Sequence, residues 1–132
     1  YVLDAAGGTT DLDWNYWHSS QWTYYASPAA NYDNTYTWVY TYSSNTSGSQ
    51  AYPSMAYTTF LDPNNFTNSY VIAKSGTSGY GGYRWGDYFQ GDLDWGDYYY
   101  GGGSAGNQKL WLYGEYAKSS QWATLRSRLV SS

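Results

Sequence analysis

Between Tyr36 and Tyr42 the aromatic residues fall on every second position. Tyr36, Trp38, Tyr40 and Tyr42 alternate with Thr37, Val39 and Thr41. A period of two is that of a β-strand, whose successive side chains point to opposite faces. Similar strand signals recur along the chain. Residues 51–60 mix aromatics with Thr after Pro53, which sets the start of that segment at an edge or a strand's first position. Residues 69–74 (SYVIAK) are the most aliphatic stretch, and 84–90, 109–116 and 121–130 complete the set. Between them lie breaker-rich segments: 43–50 (SSNTSGSQ), Asp62-Pro63-Asn64-Asn65, 75–82 (SGTSGYGG), and a long Gly- and Asp-rich connection before 109. Residues 1–13 read as an arm or first strand with a Gly-Gly turn. An i, i+4 pattern can be drawn through 117–130, but the strand reading there is preferred. The expected class is all-β, built from antiparallel sheets.

Composition changes what kind of core to expect. The 132 residues include 19 Tyr, 8 Trp and 3 Phe, and aliphatic side chains are scarce. Tyr brings a large apolar face and a hydroxyl that needs a partner or water. Such a chain suits strands with one packed face and one wet face. Only 12% of the residues are charged and the net charge is −4, so Ser, Thr, Asn, Gln and Tyr hydroxyls must carry solubility. Six Lys and Arg in total are too few for a nucleic-acid footprint. There is no Cys, which removes disulfides and thiolate metal sites. No apolar run approaches the roughly 20 residues of a membrane-spanning helix. The chain starts at Tyr1 rather than Met, as expected of a processed or excerpted chain whose leader has been removed.

Short motifs recur in order. Trp22-Thr23-Tyr24-Tyr25 matches Trp85-Gly86-Asp87-Tyr88 as W-x-x-Y, and Trp38-Val39-Tyr40 matches Trp111-Leu112-Tyr113 as W-aliphatic-Y. The second interval is ten residues longer, which fits an insertion around Tyr98-Tyr99-Tyr100-Gly101-Gly102-Gly103. Asp11-Leu12-Asp13-Trp14 also returns as Asp92-Leu93-Asp94-Trp95. Two units of about four strands follow, the size of propeller blades. Their expected limits are an N-terminal arm over 1–21, a first blade-like unit over 22–75 and a second over 76–132.

The second half carries a further ordered set: Tyr83-Arg84-Trp85-Gly86-Asp87-Tyr88, then Leu110-Trp111-Leu112-Tyr113-Gly114-Glu115-Tyr116-Ala117, then Trp122-Ala123-Thr124. Upstream stand Ala51-Tyr52-Pro53-Ser54-Met55-Ala56-Tyr57 and Lys74-Ser75-Gly76. This set resembles the C-terminal region of secreted bacterial sialidase-like β-propeller proteins. There an R-W-G-D-Y segment precedes an F/L-W-x-x-x-E-Y segment and a W-x-T segment. The resemblance spans roughly 22–130 and implies propeller architecture and export. It does not imply hydrolysis, because fold does not fix function. Two features depart from the family: the stretch Gln90–Trp95 replaces its usual D-P with small residues, and the S-x-D-x-G-x-x-W pattern is absent. Two blades cannot close a ring, so further blades of the same protein, or copies of the chain, are the expected partners.

Candidate chemistry is sparse. His18 is the only histidine and has no Cys or second His to join. Ser19, His18 and Asp13 spell a triad, but no nucleophile-elbow motif supports it. Glu115, the only glutamate, could pair with Asp87 as glycosidase carboxylates do. The preferred reading is an ion pair with Arg84 inside the blade, because a lone buried charge is costly and Arg is the bidentate partner. Arg84, Trp85, Asp87, Trp111 and Glu115 are thus read as structural, and no catalytic residue is assigned. Asp92, Asp94 and Asp97 are calcium candidates in the densest acidic run, although no complete calcium loop is spelled and a solvated turn is preferred; no other cofactor is expected. Trp14, Trp17, Trp22, Trp95, Tyr98, Tyr99 and Tyr100 offer aromatic platforms for sugars or for a neighbouring subunit. Asn45 and Asn65 head N-x-S/T glycosylation patterns. Together these readings describe a secreted or cell-surface, non-catalytic β-propeller-type module that uses aromatic surfaces for adhesion, glycan contact or subunit packing. The alternatives are a structural subunit of an extracellular filament and a fragment of a secreted propeller hydrolase.

Overall fold

A computed structural model describes residues 2–4, 9–12, 21–30, 36–44, 51–60, 70–94 and 109–130. These residues form nine strands and, among them, no helix: β1 (Val2–Asp4), β2 (Thr9–Leu12), β3 (Gln21–Ala30), β4 (Tyr36–Ser44), β5 (Ser54–Phe60), β6 (Val71–Lys74), β7 (Gln90–Leu93), β8 (Lys109–Lys118) and β9 (Gln121–Val130). All pairings are antiparallel between chain neighbours. β1 and β2 form a two-stranded ribbon, β3-β4-β5-β6 a four-stranded meander, and β7-β8-β9 a three-stranded one. Neither meander closes on itself among the described residues.

The two meanders pack face to face. β3 lies beside β7, β4 over β7 and β8, and β5 over β8. Cross-strand partners share a face, so the register identifies what points inward. Thr37, Val39 and Thr41 of β4 stand opposite Thr59, Tyr57 and Met55 of β5. On the facing sheet Leu110, Leu112 and Gly114 stand opposite Leu129, Ser127 and Leu125. Val39, Met55 and Leu112 are fully buried between the sheets, with Tyr57, Ala73, Phe89 and Leu125 packed around them. The W-aliphatic-Y motifs occupy matching places: Val39 and Leu112 meet in this core while their flanking aromatics point outward.

Two glycines allow the close approach. A Cβ on Gly114 would stand 2.7 Å from Met55 Cγ, and one on Gly91 would stand 2.5 Å from Ala29 Cβ. At both places a side chain would force the sheets apart.

The expectation of one packed and one wet face fails for β4, where every residue from Val39 to Ser44 is buried. Tyr40 and Tyr42 pack on the far face with Ala56, Trp38, Tyr70 and Ile72. Thr fits the inner face because its methyl group packs while its hydroxyl finds a partner: Thr37 Oγ1 lies 3.1 Å from Thr59 Oγ1, and Thr41 Oγ1 accepts from Trp85 Nε1 at 2.8 Å. β9 keeps the expected alternation. Ala123, Leu125, Ser127 and Leu129 are half-buried, while Trp122, Thr124, Arg126 and Arg128 are exposed. Pro28 lies within β3, which is tolerable because β3 is an edge strand.

β8 and β9 are joined by a two-residue turn in which Ser119 (φ 52°) and Ser120 (φ 62°) both have positive φ. That is the backbone signature of a type I′ hairpin, usually supplied by Asn-Gly. Here the preceding connection braces it. Ser120 N donates to Ser78 Oγ at 2.8 Å, and Gly81 N donates to Ser120 O at 3.4 Å.

Candidate functional site

β7 pairs with β8 only over Leu110–Tyr113, while β9 pairs with all ten residues of β8. The remaining half of β8 therefore has an open side. Two other segments bond to it there: Ala117 N donates to Pro53 O at 2.8 Å, and Thr77 N donates to Ala117 O at 2.8 Å. The turn 84–89 folds over the adjoining outer surface.

The 84–90 strand expected from the sequence is instead this turn, with regular strand beginning at Gln90. Gly86 adopts φ +94°, which interrupts any extended run and is open to glycine above all. Its N–H donates to Glu115 Oε2 at 2.9 Å, and a Cβ on it would stand 2.4 Å from Cγ of the Tyr25 ring. Tyr25 itself has φ 58° and sits in a bulge where the β3–β4 register shifts between Tyr24 and Ser27. Gly86 is thus held between a ring from one sheet and a carboxylate from the other. Trp85 anchors the turn to Thr41, and Tyr80 packs edge-on against it at 5.0 Å while its hydroxyl donates to Arg84 O.

The expected Arg84–Glu115 ion pair does not form. Glu115 is 2% exposed and spends its acceptor on the Gly86 amide. Arg84 bonds Asp87 at 2.7 Å instead, with its side chain 84% exposed. The three-residue spacing across the turn brings Arg84 and Asp87 together, whereas burying the guanidinium beside Glu115 would strip its water. An exposed pair of this kind contributes about 0–1 kcal/mol.

The anchored turn shapes the outer face of the β7-β8-β9 sheet. Gln90 and Tyr113 are register partners, as are Tyr113 and Arg126, and Glu115 and Thr124. Asp87, Tyr88, Phe89, Gln90, Tyr113 and Thr124 line a cleft of about 310 Å³. Tyr88 continues into a tilted pair with Trp122 at 5.1 Å, and both rings are about half exposed. Beyond Trp122 a second cleft of about 370 Å³ is lined by Tyr80, Gly82, Ser120, Gln121 and Trp122. Taken together the two clefts make an open groove with the aromatic pair at its centre; amide, hydroxyl and carboxylate groups line the first cleft, and amide and hydroxyl groups the second. Next to it Trp111 lies under the guanidinium groups of Arg126 (4.8 Å) and Arg128 (5.4 Å). Arg128 also bonds Asp94 at 3.0 Å.

Trp85, Asp87, Trp111 and Glu115 all come to this region, with Trp85 and Glu115 holding the turn from beneath. Of the calcium candidates, Asp94 is engaged with Arg128 and Asp92 accepts from Leu93 N at 2.8 Å, while Asp97 lies outside the described residues. Among the described residues no three His, Cys, Asp or Glu side chains are placed to hold a metal ion. Trp22 lies on the edge strand β3 and is exposed. Trp14, Trp17, His18, Ser19, Asp13, Trp95, Tyr98, Tyr99, Tyr100, Asn45 and Asn65 lie outside the described residues. The groove residues Tyr88, Gln90, Tyr113, Trp122 and Thr124 were not singled out as a site by the sequence. The available signal was the outward alternation of Trp122, Thr124 and Arg126 on the last strand.

No protein-family model, curated protein or solved structure matches the chain.

Proposed function

We propose that this chain is a secreted, non-catalytic binding module of β-propeller type that holds glycan chains in the groove on the outer face of the β7-β8-β9 sheet. The observation that carries this reading is the half-exposed Tyr88–Trp122 pair set between two clefts of about 310 and 370 Å³. Ligand pockets usually enclose about 300–1,000 Å³ and combine apolar walls with a few directed polar groups. Aromatic planes suit the C–H faces of sugar rings, and Gln90, Thr124, Gln121 and Asp87 offer hydrogen bonds to hydroxyls. An open groove suits an internal stretch of a polymer. The blade-like assignment rests on the sequential four-stranded meander and the resemblance of the second half to secreted propellers. Glu115 serves as a structural tether in this reading, not as an acid or nucleophile.

Affinity electrophoresis through gels containing galactomannan, xylan or mixed-linkage β-glucan tests the proposal. The chain is expected to be retarded by at least one of these, and retardation is expected to be lost in Tyr113→Ala and Trp122→Ala proteins that keep native circular dichroism. Unretarded migration in all three gels, or unaltered retardation of both variants, would contradict it. Release of sugars that stops in Glu115→Gln would overturn the non-catalytic assignment.

A structural subunit of an extracellular filament is the second reading. It is favoured by β9, a ten-residue edge strand with one side unpaired among the described residues. Light scattering from a dilute solution addresses it, and a monodisperse monomer sinks it.

A further inference from the structure

The two meanders end in four edge strands, β3, β6, β7 and β9. An open strand edge is a template for another strand, and folded chains usually guard it with shortness, proline, bulges or inward charge. Three of these edges are guarded. β3 carries Pro28 and a bulge between Tyr24 and Ser27, and β6 and β7 have four residues each. β9 has none of these devices. Its ten residues pair with β8 in unbroken register, and its inward positions Ala123, Leu125, Ser127 and Leu129 are uncharged. Its charged side chains are drawn back over the sheet: Arg126 and Arg128 lie over Trp111, and Arg128 bonds Asp94.

The hydrogen bonds of β8 show which β9 groups face the open side. Ala117 stands opposite Trp122, yet its N–H and C=O bond Pro53 and Thr77 on the other side of β8. Ala117–Trp122 is thus a non-hydrogen-bonded pair, whose two residues point their amides away from each other. Alternation then turns the N–H and C=O groups of Trp122, Thr124 and Arg126 away from β8, where no strand lies among the described residues. At the near end Gly81 N already donates to Ser120 O, so the open stretch begins at Trp122.

We infer that two copies of the chain pair β9 to β9, antiparallel, about a two-fold axis at Leu125. The sequence of the strand suits itself in this register and not in its neighbours. Centring on Arg126 sets two guanidinium groups directly opposite each other, which is destabilising. Centring on Thr124 sets Arg128 against Ser120, whose carbonyl Gly81 holds. Centring on Leu125 sets Trp122 opposite Arg128, Thr124 opposite Arg126 and Ala123 opposite Ser127, with no like charges opposed. The Thr124–Arg126 pairs exchange backbone bonds on either side of the axis, and the half-buried Leu125 side chains meet on the inner face. Each copy uses up its own open edge in the contact, so the assembly closes at two. Opposite residues share a face, so the two grooves come to lie on one continuous outer surface. The pairing stands apart from the glycan reading, and only the joining of two binding grooves rests on it.

Sedimentation equilibrium of the sugar-free chain, together with cysteine cross-linking, tests the pairing. The expected result is a reversible monomer–dimer equilibrium. Thr124→Pro removes an N–H that faces away from β8, so it should keep native circular dichroism while weakening the dimer at least about tenfold. The chain has no Cys, so a single introduced thiol finds only its own copy. In the dimer two Leu125→Cys residues stand about 4.5 Å apart at Cα, within disulfide reach, whereas two Leu129→Cys residues stand about 27 Å apart. Under mild oxidation Leu125→Cys should therefore cross-link into dimers and Leu129→Cys should not. A chain that stays monomeric up to about 0.1 mM, equal cross-linking of the two Cys variants, or a dimer unaffected by Thr124→Pro would overturn the inference. Masses that grow beyond two chains would overturn it in favour of the filament. A monomer still retarded in polysaccharide gels overturns the pairing and leaves the glycan reading standing.

Discussion

Replacing Gly86 by Ala tests the contact on which the groove's shape depends. Two separable costs arise. The first is backbone: φ +94° lies where an L side chain is strained, at about 1–2 kcal/mol. The second is steric. The new methyl would stand 2.4–2.5 Å from three carbons of the Tyr25 ring, well inside van der Waals contact, and overpacking of this kind costs about 1–3 kcal/mol. The ring cannot simply swing aside, because Tyr25 is fixed in its own positive-φ bulge and packs edge-on against Tyr24 at 5.6 Å. The single variant should therefore lose about 2–5 kcal/mol. In a Tyr25→Ala background only the backbone cost remains, so Gly86→Ala should then cost about 1–2 kcal/mol. The coupling energy of the cycle is expected at about 1–3 kcal/mol. Urea denaturation followed by tryptophan fluorescence measures all four proteins. A coupling within about 0.5 kcal/mol of zero, or a neutral Gly86→Ala, would refute the placement of Gly86 beneath the Tyr25 ring.

Three further outcomes follow from the same geometry. Glu115→Ala removes the acceptor for Gly86 N–H and should cost about 1.5–3 kcal/mol by denaturant melt, whereas Glu115→Gln keeps an acceptor and should cost less than half as much. Replacing Ser119-Ser120 by Asn-Gly supplies the residues a type I′ turn prefers while keeping both backbone bonds, and should raise stability by about 0.5–2 kcal/mol. The Tyr42 hydroxyl is pushed up to about 12 by burial and by its bond to Tyr70 at 3.1 Å. Its raised value favours the neutral form in the folded chain. That contribution is complete below about pH 10, where the unfolded phenol also stays protonated, and is lost as pH rises towards 12. Unfolding midpoints across this window should fall more steeply for the natural chain than for Tyr42→Phe, and an identical slope would contradict the assignment.

The parts legible in the sequence were those fixed by local alternation. The Tyr36–Tyr42 pattern locates β4, and the mixed runs at 51–60, 109–116 and 121–130 locate β5, β8 and β9. The all-β class follows from the same signal. What the pattern could not carry was which face each alternate residue meets. Alternation alone leaves open which side of β4 faces the other sheet; Thr37 and Thr41 line that contact, because partners for their hydroxyls come from distant residues. The R-W-G-D-Y segment misled for a related reason. Its aromatics suit a strand, but Gly86 is captured by Glu115 and Tyr25, and Trp85 by Thr41, none of them near in sequence. The Arg84–Glu115 pairing failed because residue chemistry does not reveal that a backbone amide will reach the carboxylate first. The groove was hidden similarly: Tyr88 and Trp122 become neighbours only once the turn has folded over β8 and β9.

The outer face of the β7-β8-β9 sheet is the proposed glycan-binding surface. Amide chemical-shift mapping of the isotope-labelled chain, titrated with xylohexaose, mannohexaose and cellohexaose, tests it most directly. Shifts for at least one of the three are expected to concentrate at Asp87–Gln90, Tyr113, Gln121, Trp122 and Thr124. Saturating shifts that leave all of these residues unmoved, or no shifts with any of the three, would contradict it.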